Sequence, residues 1–279
     1  MPGFRLGLAL VVLMAASACL AARNLPPVQS RNAAAPATTH YRAVLVAGDD
    51  SLPVFDNAAD DVVIWLRRQG AVASGALQRL STTPAVIGRN GVRSASLEHV
   101  LDAVENMKPD AGEGCFVFAT SHGAPHRGLV LAEADEFLNP RALDRALASG
   151  CGNAPTVVII SGCFSGNFAQ APMARVNRIV FAAARPDRPS FGCGAGRSYT
   201  VYDRCLLDAL DQGSVWQQAF GLIQRCVASE ERRERFEPSE PQAYFGSEVA
   251  NLRLPGSTRP GHGPDLPAGY AGSASRAPQ

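Results

Sequence analysis

The chain of 279 residues contains a single lysine, Lys108, and its formal net charge is only +1. The scarcity of lysine leaves little room for Schiff-base or serine–lysine chemistry, because both need a lysine at the reacting centre. The near-zero net charge means that no overall field attracts nucleic acid or an anionic membrane surface. We therefore expect no nucleic-acid partner.

Motifs that would indicate a cofactor or a metal are also missing. No predicted strand is followed by a GxGxxG or P-loop pattern, which disfavours a nucleotide site. No pair of cysteines and no group of cysteine and histidine has the spacing of a zinc site. We expect neither a cofactor nor a bound metal.

The N-terminal apolar run, residues 6–18, is too short to span a bilayer but has the length found in a secretory signal peptide. It ends in Ala16-Ser17-Ala18, small residues that suit cleavage after Ala18. Together with Cys19 they also resemble a bacterial lipobox, in which Cys19 would be acylated and would anchor the protein. We expect a signal peptide over 1–18 and export to a bacterial periplasm or envelope, and the choice between cleavage and lipid anchoring stays open.

Two segments lack the large apolar residues that a core requires. Residues 19–40 are expected to be a linker and residues 255–279 a disordered tail. The folded domain is therefore expected over 41–254. There, short continuous apolar runs alternate with amphipathic segments, the pattern of parallel strands with covering helices. The strands are predicted over 42–48, 115–120, 156–160, 178–184 and 242–246, and the helices over 57–69, 94–107, 139–148, 200–210 and 214–231.

The carboxyl ends of two predicted strands carry the residues that best suit chemistry. One strand runs into His122-Gly123 and a later one into Cys163. If the strands are neighbours, both side chains lie at one rim of the sheet, where sites form in such folds. A thiolate is a strong nucleophile and an imidazole can take its proton. A helix beginning near Asn167 would favour the thiolate through its positive end.

The backbone of these loops offers the remaining catalytic groups. The N–H groups of Gly123 and Cys163 are candidates for an oxyanion hole, which stabilises the negative charge of a tetrahedral intermediate. His126 is an alternative general base in the same loop. Seven cysteines are present; setting aside Cys19 and a free nucleophile leaves five, which permits at most two disulfides and a spare thiol, with the pairing open.

The two loops resemble the paired signatures of the caspase–legumain clan of cysteine peptidases, and most closely the legumain family (C13), in its bacterial branch. The similarity spans about 42–247. Its specific parts are residues 116–123, Phe-Val-Phe-Ala-Thr-Ser-His-Gly, and residues 158–166, Val-Ile-Ile-Ser-Gly-Cys-Phe-Ser-Gly. The resemblance implies a caspase-like three-layer α/β/α sandwich with a mostly parallel sheet of about six strands.

The resemblance also implies a thioester mechanism, with Cys163 as nucleophile and His122 as the base. In legumains the first helix is preceded by an arginine that helps build the pocket for the residue before the scissile bond, with a histidine next to it; the corresponding positions here are Asp56 and Asn57. An acidic Asp56 puts asparagine specificity in doubt, and its alternative role is a helix cap or first-turn carboxylate. The candidate substrate-binding residues are Asp56, Asn57, Ser161, Ser190 and Asp203.

These observations predict an exported cysteine endopeptidase that acts on peptides or proteins. Two alternatives use the same fold. The dyad would catalyse transpeptidation or ligation if an amine, rather than water, reached the acyl-enzyme. A non-catalytic envelope binding protein would keep the fold with an unreactive Cys163.

Overall fold

The computed structural model describes residues 40–194 and 196–257. The predicted signal peptide, Cys19 and most of both the linker and the tail lie outside this part of the chain. Within it, a seven-stranded sheet has the order β10-β9-β8-β4-β1-β2-β3. The strands are β1 His40–Ala47, β2 Leu77–Ser81, β3 Arg93–Ser94, β4 Glu113–Thr120, β8 Thr156–Ser161, β9 Arg178–Ala182 and β10 Gln242–Phe245. All pairs are parallel except β10 with β9 at one edge.

Helices cover both faces of the sheet, because the apolar strands alternate their side chains between two cores. On β1, Tyr41 and Leu45 face one core, and Val44 and Val46 face the other. The first core is closed by α1 Val54–Arg68, α4 Val201–Gln212 and α5 Trp216–Glu234, and the second by α2 Leu97–Glu105 and α3 Pro140–Cys151. This arrangement confirms the predicted α/β/α sandwich, with one strand more than the six expected.

A second, smaller antiparallel sheet follows β4 directly and was not predicted. It contains β5 Gly123–Ala124, β6 Gly128–Leu131 and β7 Glu136–Leu138. Its strands are only two to four residues long, too short for a period to be read in the sequence. Its position after β4 places a hairpin beside His122.

Helix boundaries follow the capping residues. Asn139 caps α3 by accepting a hydrogen bond from Ala142 N at 3.0 Å, as its place before Pro140 predicts. The prediction that α2 begins at Ser94 is wrong: Ser94 ends β3, and Ser96 caps the helix. The expected helix near Asn167 is also wrong, because Ser165–Ala169 form a short 3₁₀ helix instead.

Two disulfides join elements within the described residues. Cys115 of β4 is bonded to Cys151 of α3, and Cys205 of α4 is bonded to Cys226 of α5. Cys163 and Cys193 are free. The count matches the expected maximum of two disulfides and one spare thiol, and Cys193 is the spare thiol. No helix of the described part is long and apolar enough to cross a membrane.

Candidate active site

His122 and Cys163 lie side by side because their strands are neighbours. β4 and β8 pair in parallel, and Thr120 is directly opposite Ser161 at their carboxyl ends. The two following loops then run against each other. A Cβ atom at Gly123 would overlap the backbone carbonyl of Cys163, so only glycine permits this approach.

Backbone groups surround the Cys163 thiol. Ser190 N donates to the sulfur at 3.2 Å, and the thiol donates to Ser190 O at 3.3 Å. Burial raises the pKa of the Cys163 thiol, while hydrogen bonds from the N–H groups of Ser190, Gly123 and Cys163 itself act to lower that pKa. The two N–H groups expected to form an oxyanion hole therefore both act on the pKa of this thiol.

The His122 imidazole is held by three neighbours. Its Nε2 lies 3.8 Å from Asp49 Oδ1, and the Phe55 ring packs edge-on against it with 5.2 Å between the ring centroids. Interaction with the nearby Cys193 thiol has the largest effect and raises the pKa of His122 despite burial; the charge of Asp49 raises that pKa further. In the described part of the chain no hydrogen bond joins His122 to Cys163 directly. Such contacts commonly tighten only when substrate binds.

Asp49 is itself fixed in place. It is 7% exposed, and one oxygen, Oδ1, accepts hydrogen bonds from the backbone N–H and the hydroxyl of Ser51. A buried carboxylate that faces an imidazole favours its protonated form and holds the ring in one orientation. Asp49 was not among the predicted site residues, although it lies two positions after the end of β1, at the rim that carries His122 and Cys163.

A small recess beside Cys163 is nearly closed. Its cavity volume is about 10 Å³, enough for about one water molecule. No amino-acid side chain fits a space of this volume. The lining residues are Phe55, Ser121, His122, Ser161, Gly162, Cys163, Ser190, Phe191, Cys193 and Thr200. We call this space the recess.

Ser161 and Ser190 line the recess, whereas Asp203 lies below it. Asp203 is 1% exposed and accepts a hydrogen bond from Thr120 Oγ1 at 2.8 Å. Burial raises the pKa of Asp203, against hydrogen bonds from Ser161, Thr120 and Thr200. One of its oxygens, Oδ1, has no partner among the described residues. Asp203 is therefore not part of the recess lining, although its backbone N–H donates to the hydroxyl of Thr200, which is.

The structure places Asp56 outside the recess. Its carboxylate bonds to Arg79 Nη2 at 2.5 Å, to Ser81 Oγ at 2.8 Å and to Thr83 Oγ1 at 2.5 Å. It lies in the first turn of α1, which agrees with the alternative role as a first-turn carboxylate. Asn57 also lies outside the recess lining, and its side chain bonds to the backbone oxygen of Ser198.

The histidine weighed as an alternative base is elsewhere. His126 lies in the turn between β5 and β6 and lines a separate, larger cleft. In the described part of the chain no group of three histidine, cysteine or acidic side chains is arranged to hold a metal ion.

The chain matches the Peptidase C13 family over residues 93–250, more than half its length. This protein belongs to the peptidase C13 family. The matched residues include His122, Cys163 and Asp203, whereas Asp49 and Phe55 precede the match. The legumain resemblance is thereby confirmed, and family membership indicates a peptidase of the cysteine type. No curated protein matches the chain.

Proposed function

We propose that this C13 protein is an exported cysteine endopeptidase that uses Cys163 as nucleophile and His122 as the general base. The observation that carries the proposal is the surroundings of the Cys163 sulfur. The sulfur accepts a hydrogen bond from Ser190 N, and the N–H groups of Gly123 and Cys163 act to lower its pKa, at the rim that it shares with His122. These groups would hold the oxygen of a carbonyl under attack.

The proposed reaction begins when the Cys163 sulfur attacks the peptide carbonyl carbon and its proton passes to His122. The carbonyl oxygen becomes an oxyanion held by the two N–H groups. As the C–N bond breaks, His122 returns the proton to the leaving amine, and a thioester remains on Cys163. Water then attacks the thioester and gives a proton to His122. As the C–S bond breaks, His122 returns this proton to the sulfur, the carboxylic acid is released and the free thiol is regenerated. Asp49 would stabilise the imidazolium at each transfer.

The test is cleavage of internally quenched peptide libraries by the purified protein, by Cys163→Ala and by His122→Ala. Loss of the nucleophile or the base is expected to lower kcat by at least about a thousandfold. Arg145→Gln, an exposed change on α3, is the matched control and should cleave as the wild type does. Cleavage that survives Cys163→Ala would refute the proposal.

Export forms the second part of the proposal. Two disulfides support it, because such bonds persist in oxidising compartments and are rare in the cytosol. The full chain and its Cys19→Ser variant would be produced in a bacterial host, fractionated, and labelled with a radioactive fatty acid. Envelope location is expected for the wild type, and label that depends on Cys19 would establish a lipid anchor. Cytoplasmic location of the wild type would contradict export.

A further inference from the structure

Both free thiols of the described residues lie in the active-site recess. Four other cysteines form disulfides, which leaves Cys163 and Cys193. Both line the recess together with His122. They are close enough for the charge of a Cys193 thiolate to raise the pKa of Cys163. The mechanism above uses only Cys163, so Cys193 needs its own explanation.

The two thiols differ in their readiness to react. The contact with His122 lowers the pKa of Cys193, whereas burial raises that of Cys163. Thiolates, not thiols, attack disulfides. Cys163 and Cys193 are both partly buried, and Cys193 lies between Gly192 and Gly194, two residues without side chains that would cover it. At this exposure, the lower pKa makes the Cys193 sulfur the first of the pair to attack a small disulfide from solvent.

We propose that Cys193 is a modification site for low-molecular-weight disulfides and that it closes a reversible Cys163–Cys193 disulfide, which switches off the peptidase. The inhibitory part rests on the proposed function. The Cys193 thiolate attacks the disulfide RSSR, forms Cys193–S–S–R and releases RS⁻. Cys163, having lost its proton to His122, then attacks the Cys193 sulfur and releases a second RS⁻. Both protein thiols are oxidised and one RSSR is reduced to two RSH.

The test treats the purified full chain with glutathione disulfide, blocks remaining thiols in acid and maps the peptides by mass spectrometry. A peptide pair cross-linked through Cys163 and Cys193 is expected, lighter by two hydrogens, together with loss of peptidase activity that dithiothreitol restores. The Cys193→Ser variant should give no cross-link. Separate glutathione adducts on both cysteines without a cross-link would overturn the proposal.

The mass readout does not depend on activity. A cross-link in a protein that cleaves no peptide would keep the modification site and refute the peptidase. The Cys115–Cys151 disulfide supplies an internal control, because its linked peptides should be present before and after treatment.

A larger cleft lies near the Cys163 loop. We call it the basic cleft; its volume is about 560 Å³. One wall is the turn that follows His122, and another is the segment that follows Cys163. The lining residues are His126, Arg127, Gly128, Phe137, Asn139, Pro140, Arg141, Phe164, Asn167, Phe168, Gln170, Ala171 and Pro172.

The charge of the basic cleft has one sign. Arg127 and Arg141 line it, and no acidic residue does. Neither arginine has an ion pair among the described residues, unlike Arg79, Arg175 and Arg178 in the body of the domain. The Arg127 guanidinium instead stacks over the Phe137 ring, 3.5 Å from its centroid, which holds it at the wall. Two unneutralised cations in a concave surface favour an anionic occupant.

We infer that the basic cleft binds acidic side chains of the substrate on the leaving-group side of the scissile bond, an inference that rests on the proposed function. The basic cleft borders the segments that directly follow His122 and Cys163, so a peptide drawn across Cys163 would continue into it. His122 must reach the leaving amine, and the cleft wall begins four residues after it. An aspartate or glutamate one to three positions past the bond would meet Arg127 and Arg141.

The test compares peptides with glutamate, glutamine or lysine at each of these three positions. Glutamate is expected to raise kcat/KM. Arg127→Gln and Arg141→Gln should each lower kcat/KM for the glutamate peptide about fivefold, the scale of a partly exposed charge pair. Arg145→Gln, on the same helix but outside the lining, is the control. A preference that is absent, or that persists in the double variant, overturns the inference.

Fluorescence anisotropy measures binding of the glutamate-bearing leaving peptide without cleavage, and so tests the basic cleft separately from the peptidase activity. Binding that needs both arginines in a protein without cleavage would refute the peptidase and keep the cleft. Cleavage by a protein whose binding of this peptide does not depend on the arginines would refute the cleft and keep the peptidase.

Discussion

Gly123 lies so close to Cys163 that a Cβ atom at position 123 would occupy the place of the Cys163 carbonyl. The N–H group of the same glycine acts to lower the pKa of the Cys163 thiol. One position therefore bears both on the spacing of the two loops and on the proposed oxyanion hole. Any side chain there would move the loops apart.

Gly123→Ala is expected to lower the free energy of unfolding by about 1–3 kcal/mol, because backbone must shift to relieve the overlap. It should also lower kcat more than it raises KM, since the displaced N–H group acts on the transition state. Chemical denaturation and peptide kinetics measure the two effects. Gly221→Ala, on α5, where a Cβ would meet only the end of the Arg225 side chain at 3.4 Å, is the control and should be neutral or stabilising. Unchanged kinetics in Gly123→Ala would contradict the assigned contact.

The reactivity of the two free thiols is expected to be unequal. Near neutral pH, a short iodoacetamide pulse should alkylate Cys193 faster than Cys163, because His122 lowers the pKa of Cys193 and burial raises that of Cys163. His122→Ala should slow alkylation of Cys193 several-fold by removing the positive partner. Peptide mapping gives both rates from one sample. Faster alkylation at Cys163 would show that the imidazole serves Cys163 even without substrate.

The pH dependence of stability should carry a contribution from Asp203. Burial raises its pKa in the folded protein, so the folded state binds more protons than the unfolded state above the ordinary aspartate pKa. This contribution is complete below that value and is lost as pH rises through the raised pKa. The stability of the wild type minus that of Asp203→Asn should therefore fall with rising pH in this range. A difference that rises with pH would reverse the assignment.

Asp56 is expected to stabilise the fold without setting specificity. Asp56→Ala leaves Arg79 buried without its close partner and should lower the free energy of unfolding by about 3–5 kcal/mol. Asp60→Ala removes the partly exposed partner of the same arginine and should lower it by about 1 kcal/mol or less. Thermal or chemical denaturation tests this ranking. Residue preference at the cleavage site should be unchanged in Asp56→Ala; a new preference would place Asp56 in the substrate pocket after all.

Sequence reasoning succeeded where the chain is continuously apolar. The strands that end at Thr120 and Ser161 are buried throughout, so their apolar runs predict them, and the order of parallel strands places His122 near Cys163. The helix predicted near Asn167 is absent because the residues after Cys163 have no strong helical pattern. Gly166 also packs tightly against Pro186 from a distant loop. Only tertiary contacts decide that this segment forms a 3₁₀ helix.

The surroundings of Cys193 and Asp56 could not be predicted, for a different reason. Cys193 is 71 positions from His122 in the sequence, and no sequence pattern indicates that the two residues interact. Asp56 resembled a pocket residue by its place at the first helix, yet its partners Arg79 and Ser81 come from β2, which the predicted set of strands did not contain. Pairings between loops of separate strands need the register of the sheet before they can be assigned.

The small volume of the recess has a kinetic consequence. If only a minority of molecules have the walls parted at any moment, the measured affinity for a peptide is its affinity for that open population multiplied by the open fraction. Substitutions that favour the open form would then lower KM for every substrate by a common factor, whatever the identity of the residue beside the scissile bond. Specificity and accessibility would thus be separable quantities in this protein. The residues that line the recess would set the specificity, and the ease with which residues 190–194 move away from Cys163 would set the accessibility.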